Sequence, residues 1–162
     1  MKTLFLLRHA KSSWKDETLA DFERPLNRRG KRAAETMGAY FKSEGIVPEL
    51  IVCSPAVRAR ETLELVTKAA KWSTEVRYDQ RIYEASGMRL AEVVSQIDND
   101  RKLAMLVGHN PGMEELLLLM TAESVGFATG TCAKVAVKAS KWANAVDKRA
   151  TLEWLVKPRE LE

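Results

Sequence analysis

The sequence is poor in the residues that cross-link small proteins or hold structural metals. Its 162 residues include two cysteines, Cys53 and Cys132, and two histidines, His9 and His109. The cysteines form no CxxC pair and lie in apolar, strand-like contexts, so we expect buried free thiols in a reducing compartment. Because the four side chains are far apart in the chain, a structural zinc site is not expected.

Long apolar runs and one-sided blocks of charge are also absent. No run approaches the ~20 apolar residues that a bilayer-spanning helix requires, and the apolar stretch near the N-terminus covers only residues 4–7 before Arg8. We therefore expect no membrane segment, no secretion signal and a cytoplasmic location. The net charge of +4 is spread along the chain, so a nucleic-acid partner is not expected either.

Length and composition predict one globular domain covering residues 1–162. A chain of ~100–200 residues usually forms one compact unit. The content of 46% hydrophobic and 30% charged residues is typical of a globular protein. Folding at this size buries roughly 70% of the surface of the unfolded chain, which is enough for a core without cross-links. No repeat, linker or low-complexity segment divides the chain.

Short apolar runs alternate with amphipathic stretches along the chain. The patterns predict strands at residues 3–7, 50–53, near 76 and 102–108, helices at 28–42, 55–71, 88–97 and 112–120, and an antiparallel edge pair at 133–139 and 151–156. Asn27 and Ser54 are the expected helix N-caps, with Pro55 opening the second helix and Pro111 the fourth. This alternation predicts a three-layer α/β/α sandwich with a mostly parallel central sheet and no large cap domain.

Three of the predicted strands end in polar residues of an unusual kind. Arg8-His9 follows the first strand, Ser54-Pro55 with Arg58 follows the second, and Gly108-His109-Asn110-Pro111 follows the late buried strand. In parallel sheets, ligands bind at the carboxyl ends of the strands, so we expect both histidines at one pocket.

Two histidines and two arginines in one pocket favour phosphate chemistry. A single histidine beside a strand is often only a hydrogen-bonded structural residue. Arginine, however, donates two parallel hydrogen bonds to phosphate oxygens, and histidine acts as a nucleophile or proton carrier near neutral pH.

Four segments carry a resemblance to a known family. They are Leu6-Leu7-Arg8-His9-Ala10-Lys11-Ser12, Asp21-Phe22-Glu23-Arg24-Pro25-Leu26 with Gly30, Ser54-Pro55-Ala56-Val57-Arg58-Ala59-Arg60-Glu61-Thr62, and Val107-Gly108-His109-Asn110-Pro111. In this order they resemble the histidine phosphatase (phosphoglycerate mutase-like) superfamily and, more narrowly, its short phosphohistidine phosphatases of the SixA type. The resemblance runs from residue 4 to about residue 120, and the tail matches more loosely. Ala10 stands where the wider family usually has glycine, as is common among SixA-like members.

The resemblance implies roles for the residues that match it. His9 matches the nucleophile that takes the phosphoryl group onto a ring nitrogen. Arg8 and Arg58 match the phosphate clamp, and His109 matches the second pocket histidine. His9 has to be neutral to attack phosphorus, and we expect the neighbouring arginines to lower its pKa. A backbone carbonyl that accepts from one ring nitrogen would leave the other lone pair free.

The acid/base residue is less constrained by the pattern. Glu84 lies in the region where many members of the family place a general acid, and it is the first candidate. Asp16 and Asp21 are the alternatives.

Several other residues have two interpretations each. Arg24 contacts phosphate or substrate, or it forms an ion pair with Asp21 that braces the loop. Asn110 binds phosphate, or it shapes the turn before the fourth helix. Ser12 lines the entrance of the pocket or belongs to a solvated loop. Trp14 is a candidate pocket wall, whereas the other three tryptophans are expected in packing.

We therefore predict a metal-independent phosphatase without a cofactor, which acts on phosphohistidine in proteins or on a related phosphomonoester. The reaction passes through a covalent phosphohistidine on His9. The expected partner is a phosphorylated protein, such as a phosphorelay protein, or a small phosphomonoester, and a monomer is expected. The alternatives are a small-molecule phosphomonoesterase of the same superfamily and a non-catalytic module that binds phosphate or phosphopeptides. The lack of room for a cap favours an exposed site and a bulky substrate.

Overall fold

The computed structural model describes residues 1–147 and 150–162, which are built around one six-stranded sheet. The strands are β1 (Lys2–Arg8), β2 (Leu50–Cys53), β3 (Glu75–Tyr78), β4 (Leu103–Gly108), β5 (Cys132–Val137) and β6 (Ala150–Val156). Their order in the sheet is β3-β2-β4-β1-β5-β6. The pairings among β3, β2, β4 and β1 are parallel, and β5 and β6 add an antiparallel edge. The predicted sheet, with its antiparallel edge pair, is confirmed.

Four helices cover the two faces of this sheet. They are α1 (Arg28–Ser43), α2 (Val57–Ala70), α3 (Gly87–Ser95) and α4 (Gly112–Thr121). Alternate side chains of a strand point to opposite faces, and β1 uses both. Leu4 and Leu6 pack in the cluster that contains α3 and α4, whereas Phe5 and Leu7 pack with α1 and α2. The three-layer sandwich is therefore confirmed, and β1 lies at its centre.

Every predicted element is present, and the ends differ from the prediction by at most two residues. Asn27 caps α1 as expected, since its side-chain Oδ1 accepts a hydrogen bond from the Gly30 amide at 2.8 Å. No helix in the described part of the chain is long and apolar enough to cross a membrane.

The predicted start of the second helix is wrong. Helix α2 begins at Val57 rather than at Pro55, and Ser54 does not cap it. The hydroxyl of Ser54 accepts from the amide of Ala56 at 3.2 Å and pairs with Nε2 of His109 at 2.8 Å. Because α2 begins two residues later than predicted, this hydroxyl contacts the turn before the helix and the end of the neighbouring strand instead of capping the helix. Pro111 stands directly before α4, whose predicted start at Gly112 is confirmed.

The cysteines and most of the tryptophans belong to the core. Cys53 and Cys132 are free and buried, as predicted, and burial raises the pKa of both thiols. Trp72 and Trp142 are buried. The half-buried Trp154 packs against Phe5 of β1 and Tyr40 of α1. These three side chains stabilise the scaffold and lie outside the site.

Helices α1 and α2 approach each other closely at Gly38. A Cβ atom at this position would lie 2.6 Å from the Cβ of Ala69 and 2.6 Å from the carbonyl oxygen of Val66. Overpacking of this kind costs about 1–3 kcal/mol, whereas replacing a helical glycine with alanine returns up to ~1 kcal/mol. We predict that Gly38→Ala lowers the free energy of unfolding by about 1–2 kcal/mol, measured by urea denaturation.

Gly126 provides the matched control for this substitution. No atom lies within 4 Å of a Cβ built there, so Gly126→Ala should change the stability by less than ~0.5 kcal/mol. Equal unfolding midpoints for the two variants would contradict the close approach of the helices.

Candidate active site

Three adjacent strands deliver the central side chains to one edge of the sheet. The parallel register pairs Arg8 with Gly108, so His9 and His109 emerge next to each other. The amide of His9 donates to the carbonyl of Gly108 at 3.0 Å. The ring centroids of the two histidines are 5.0 Å apart, and both residues are buried, with 6% and 8% of their surface exposed. Ser54 follows β2, the next strand along. The structure thus brings both histidines together as the sequence predicts.

A backbone hydrogen bond fixes the tautomer of His9. Its Nδ1 lies 2.7 Å from the carbonyl oxygen of Ala10, which can only accept, so Nδ1 carries the proton and Nε2 keeps a free lone pair. The amide of Ala10 donates in turn to Oγ1 of Thr62 at 2.9 Å, and that hydroxyl donates to the carbonyl of Arg58 at 2.7 Å. Helix α2 therefore positions both the nucleophile candidate and an arginine.

Ala10 fits this position without strain. Its φ is not among the positive values of the described backbone, so the methyl group that replaces the family's usual glycine hydrogen is tolerated there.

The surroundings of His9 keep its ring neutral. Burial is the largest effect, and the cations Arg58, Arg8 and Arg24 act in the same direction, so the pKa falls to about 4. Protonation would add a fourth positive charge to a poorly solvated pocket. The expected lowering of this pKa by the arginines is present, although burial contributes more.

His109 is a neutral hydrogen-bond donor in this state. Burial, followed by His9 and Arg58, lowers its pKa to about 3. In the described residues the hydroxyl of Ser54 accepts from Ala56 and has only Nε2 of His109 to donate to. Because Nε2 of His109 accepts this hydrogen bond, the imidazole proton lies on Nδ1. This nitrogen is buried and has no partner in the described residues. His109 therefore offers a neutral N–H to the pocket and adds no positive charge.

Arg8 also has an unused donor. Its Nη1 donates to the carbonyl of Phe127 at 2.8 Å, whereas its Nε is buried and unpartnered. The segment that begins at Phe127 is tied to the site, because the amide of Gly130 donates to the carbonyl of His9 at 2.9 Å. Burial lowers the pKa of Arg8 and nearby Glu114 raises it, and the guanidinium stays charged.

Asp21 connects the two remaining arginines. Its Oδ2 lies 3.1 Å from Nη2 of Arg58, and its Oδ1 lies 3.1 Å from Nη1 of Arg24. Tyr83 donates its hydroxyl to Oδ2 at 2.6 Å. The hydrogen bond from Tyr83, together with the two guanidinium groups, lowers the pKa of Asp21 to about 2. Asp21 is therefore an ionised brace for the arginines, which disfavours it as a proton donor near neutral pH.

The structure favours the bracing interpretation for Arg24. Its Nε donates to the carbonyl of Ser13 at 3.1 Å, its Nη2 donates to the hydroxyl of Ser12, and its Nη1 pairs with Asp21. The ring of Trp14, 75% exposed, covers this guanidinium at 3.2 Å from the centroid. Ser12 and Trp14 therefore hold Arg24, which lies close enough to the pocket to lower the pKa of His9.

Two carboxylates remain as acid/base candidates. Glu84 is exposed and lines an open groove of about 420 Å³ together with His109 and Asn110. Its φ of 55° is rare for residues other than glycine, and such backbones cluster at functional sites. Asp16 is exposed on the loop and accepts from Thr18. Of these two, the structure places only Glu84 in a groove with a pocket histidine.

The side chain of Asn110 forms hydrogen bonds with Glu114 and Phe127. Its Nδ2 donates to Oε1 of Glu114 at 2.8 Å and to the carbonyl of Phe127 at 2.9 Å, and its Oδ1 accepts from the Glu114 amide at 3.3 Å. This arrangement favours the turn-shaping interpretation over a contact with phosphate.

Three residues of the site were not assigned a role there from the sequence. They are Ser54, Thr62 and Tyr83, which hold His109, Ala10 and Asp21 respectively. Ser54 could have been found, because it stands at the carboxyl end of a core strand like both histidines. The contacts of Thr62 and Tyr83 carry no local signal. Within residues 1–147 and 150–162, no group of three or more His, Cys, Asp or Glu side chains is arranged to hold a metal ion.

The arrangement suits an electrophile that carries anionic oxygens. A free lone pair on His9 lies among cations, and the buried donors His109 Nδ1 and Arg8 Nε have no partner. Buried polar atoms in folded proteins are nearly always hydrogen-bonded, so these two donors are available to a water molecule or a ligand. A phosphoryl group would satisfy these donors and present phosphorus to the lone pair.

The two histidines should remain neutral well below the usual pKa of ~6.5. Because the chain contains two histidines, ¹H NMR should show two Cε1 proton signals that do not shift between pH 8 and about 5, whereas both titrate near pH ~6.5 in urea. The unfolded chain then binds more protons than the folded protein between pH ~6.5 and about 4. The free energy of unfolding should therefore fall as the pH drops through this window, by up to ~1.4 kcal/mol per pH unit for each histidine. A folded-state midpoint above pH 6 for either signal would contradict this electrostatic description.

Comparisons with known proteins agree with the geometry. A family model for the histidine phosphatase superfamily (branch 1) matches residues 4–114. An uncharacterised chloroplastic protein of Arabidopsis thaliana is 31% identical over 153 residues, which covers 89% of this chain and 70% of that protein.

Two solved structures share the fold over nearly their full length. An Agrobacterium tumefaciens protein described as phosphohistidine phosphatase SixA is 28% identical, with a TM-score of 0.84 and coverage of 97% of this chain and 98% of that one. A Nakamurella multipartitia protein of the same description is 26% identical, with a TM-score of 0.86 and coverage of 97% and 96%. The chain therefore belongs to the histidine phosphatase superfamily (branch 1), in which it is a SixA-like phosphatase.

Proposed function

We propose that the protein is a metal-independent phosphatase that removes the phosphoryl group from phosphohistidine on proteins, through a covalent intermediate on His9. The observation that carries this proposal is the state of His9: its Nδ1 proton is held by the carbonyl of Ala10, its ring is neutral, and Nε2 is available for attack.

In the first step, Nε2 of His9 attacks phosphorus, and the bond from phosphorus to the leaving group breaks. Arg8, Arg58 and the Nδ1–H of His109 donate to the non-bridging oxygens, whose charge they balance in the transition state. These guanidinium groups supply the positive charge that a metal ion would otherwise bring. The leaving nitrogen of the substrate takes up a proton from solvent water, and the proton that Glu84 gains in the second step returns to solvent.

In the second step, water attacks the phosphorylated ring, and the bond between phosphorus and Nε2 breaks. Glu84 accepts a proton from the water, and inorganic phosphate leaves. Glu84 is favoured over Asp21 for this role, because the hydrogen bond from Tyr83 and the ion pairs with two arginines hold the pKa of Asp21 at about 2. A carboxylate with so low a pKa is a weak proton acceptor.

The openness of the site supports a protein as substrate. The groove that His109 lines is open, with a volume of about 420 Å³, and a second open groove of about 370 Å³ is lined by Lys11 near His9 in the chain. A phosphorylated side chain on a protein surface can enter such a site. The similarity to structures described as SixA supports the same substrate class.

The nucleophile is tested by His9→Ala. The wild type should release phosphate from a phosphohistidine peptide in the presence of EDTA, and the variant should be slower by at least about 10³-fold, since the covalent route is lost. Release is measured side by side with a generic aryl phosphate, and the ratio of the two kcat/KM values ranks the substrates.

Asp16→Ala is the control, because the side chain of Asp16 is exposed on the loop and its hydrogen bonds in the described residues come from Thr18. Its activity should stay within about twofold of the wild type. Equal activity of wild type and His9→Ala would refute the nucleophile. Inactivity of the wild type together with binding of phosphate would favour a binding module, and a preference for the aryl phosphate would favour a small-molecule phosphomonoesterase.

The acid/base role is tested by Glu84→Gln. We predict a fall in kcat of about 10²–10⁴-fold, with phosphorylated enzyme accumulating to a level detectable by mass spectrometry at neutral pH. Asp21→Asn should instead raise KM, because it loosens Arg58 and Arg24 without removing the proton acceptor. If Glu84→Gln turns over normally while Asp21→Asn accumulates the intermediate, the two roles are reversed.

A further inference from the structure

A groove rich in positive charge opens on the β5 and β6 side of the active site. It has a volume of about 370 Å³. Five cationic side chains line it, namely Lys11, Arg29, Arg32, Lys157 and Arg159. One carboxylate, that of Glu162, also lines it. The groove therefore carries a strong excess of positive charge for its size.

The groove is continuous with the catalytic residues along two chain segments. Lys11 follows Ala10, whose carbonyl holds the ring of His9. Ala128 and Thr129 also line the groove, and they follow Phe127, whose carbonyl holds Arg8. A molecule bound in the groove would therefore contact the two chain segments that hold His9 and Arg8.

The cations of the groove are not held in ion pairs in the described part of the chain. In residues 1–147 and 150–162, none of the five takes part in an ion pair, whereas several arginines elsewhere do. Arg77 pairs with Glu75 and Asp98, Arg81 pairs with Asp79, and Arg101 pairs with Glu75. Unpaired like charges in a concave surface focus the potential and attract anions.

The shape and lining of the groove favour carboxylates of a protein over a nucleic acid. Proteins that bind single-stranded nucleic acid combine cations with aromatic side chains on which the bases stack, and no aromatic side chain lines this groove. Its volume accommodates a few side chains. The groove beside His109 contains Glu84 and Glu115 instead, so the two sides of the site differ in charge and would orient a charged partner.

We propose that the cationic groove docks an acidic segment, rich in Asp and Glu, of the phosphorylated protein whose phosphohistidine enters the pocket. The inference rests on the proposed function, because the docked segment and the phosphohistidine belong to one substrate. The groove supplies affinity and orientation, and His9 with its arginines supplies the chemistry.

Binding is tested first, without any need for catalysis. Two fluorescently labelled, unphosphorylated peptides of equal length are compared by anisotropy, one rich in Asp and Glu and the other with Asn and Gln at the same positions. The acidic peptide should bind at least about tenfold more tightly at low salt, and the difference should shrink as salt screens the charges. Equal affinities would overturn the proposal.

Charge-reversal variants test whether the acidic peptide binds in the groove. Arg32→Glu with Arg159→Glu should weaken binding of the acidic peptide by at least about tenfold. The control is Lys68→Glu with Lys138→Glu, which changes the net charge by the same amount at exposed positions outside the groove. The control should stay within about threefold of the wild type, and equal losses in the two double variants would overturn the assignment of the groove. Thermal unfolding verifies that both double variants are folded.

Catalysis then separates this inference from the proposed function. Phosphohistidine peptides with acidic or neutral flanks are compared with phosphoramidate, a small substrate that does not reach the groove. The groove variant should lose the preference for acidic flanks through KM and keep the wild-type rate on phosphoramidate. Hydrolysis of both peptides at equal rates would contradict the docking proposal and support the proposed function. Binding of the acidic peptide without hydrolysis of either phosphohistidine peptide would contradict the proposed function and support the groove as a binding site for acidic segments.

Two further probes distinguish other anions from an acidic segment. A single-stranded oligonucleotide and inorganic pyrophosphate are each titrated with the wild type and the groove variant. The proposal would be overturned if the wild type bound one of these probes but not the acidic peptide, and if charge reversal abolished that binding. The groove would then be a nucleic-acid or small-anion site.

Discussion

The hydrogen bond from Nδ1 of His9 to the carbonyl oxygen of Ala10 decides which chemistry the pocket can perform. It holds the ring in one tautomer and one orientation, and it leaves Nε2 as a lone pair among cations. The bond depends on the backbone of Ala10, which Thr62 holds from helix α2. The position of this carbonyl therefore depends on helix α2 and on the parallel register of β1 with β4.

The electrostatics of the site have to satisfy two opposing requirements. Phosphate binding needs several cations, whereas those cations repel one another when the pocket is empty. Asp21 resolves this conflict, because its carboxylate bridges Arg24 and Arg58 while the Tyr83 hydroxyl helps to keep it ionised. Arg8 is not bridged in this way and retains an unpartnered Nε. The clamp is thus ordered before substrate arrives, and part of its hydrogen-bonding capacity stays free for the phosphoryl group.

The elements and the central residues were predictable because they follow from local patterns. Runs such as residues 102–108 are apolar on both faces, which identifies a central strand, and the residue after such a strand lies at the ligand-binding edge. His9 and His109 are found in this way. The contacts of Asp21 with Arg58 span 37 residues, and that of Ser54 with His109 spans 55. Both depend on tertiary packing, and for this reason Ser54 was mistaken for a helix cap.

The catalytic groups themselves do not select a substrate. In the proposed mechanism, Arg8, Arg58 and His109 contact oxygens that every phosphoryl group carries, so any phosphorylated molecule that reaches His9 would present the same chemistry to them. Discrimination then has to come from residues that touch the rest of the molecule. In an open site these residues lie on the flanks, one of which carries Glu84 and Glu115 while the other carries the unpaired cations of the groove. An acidic partner would gain on the second flank and be repelled on the first, so under the proposed docking the charge asymmetry would set the partner's direction of approach.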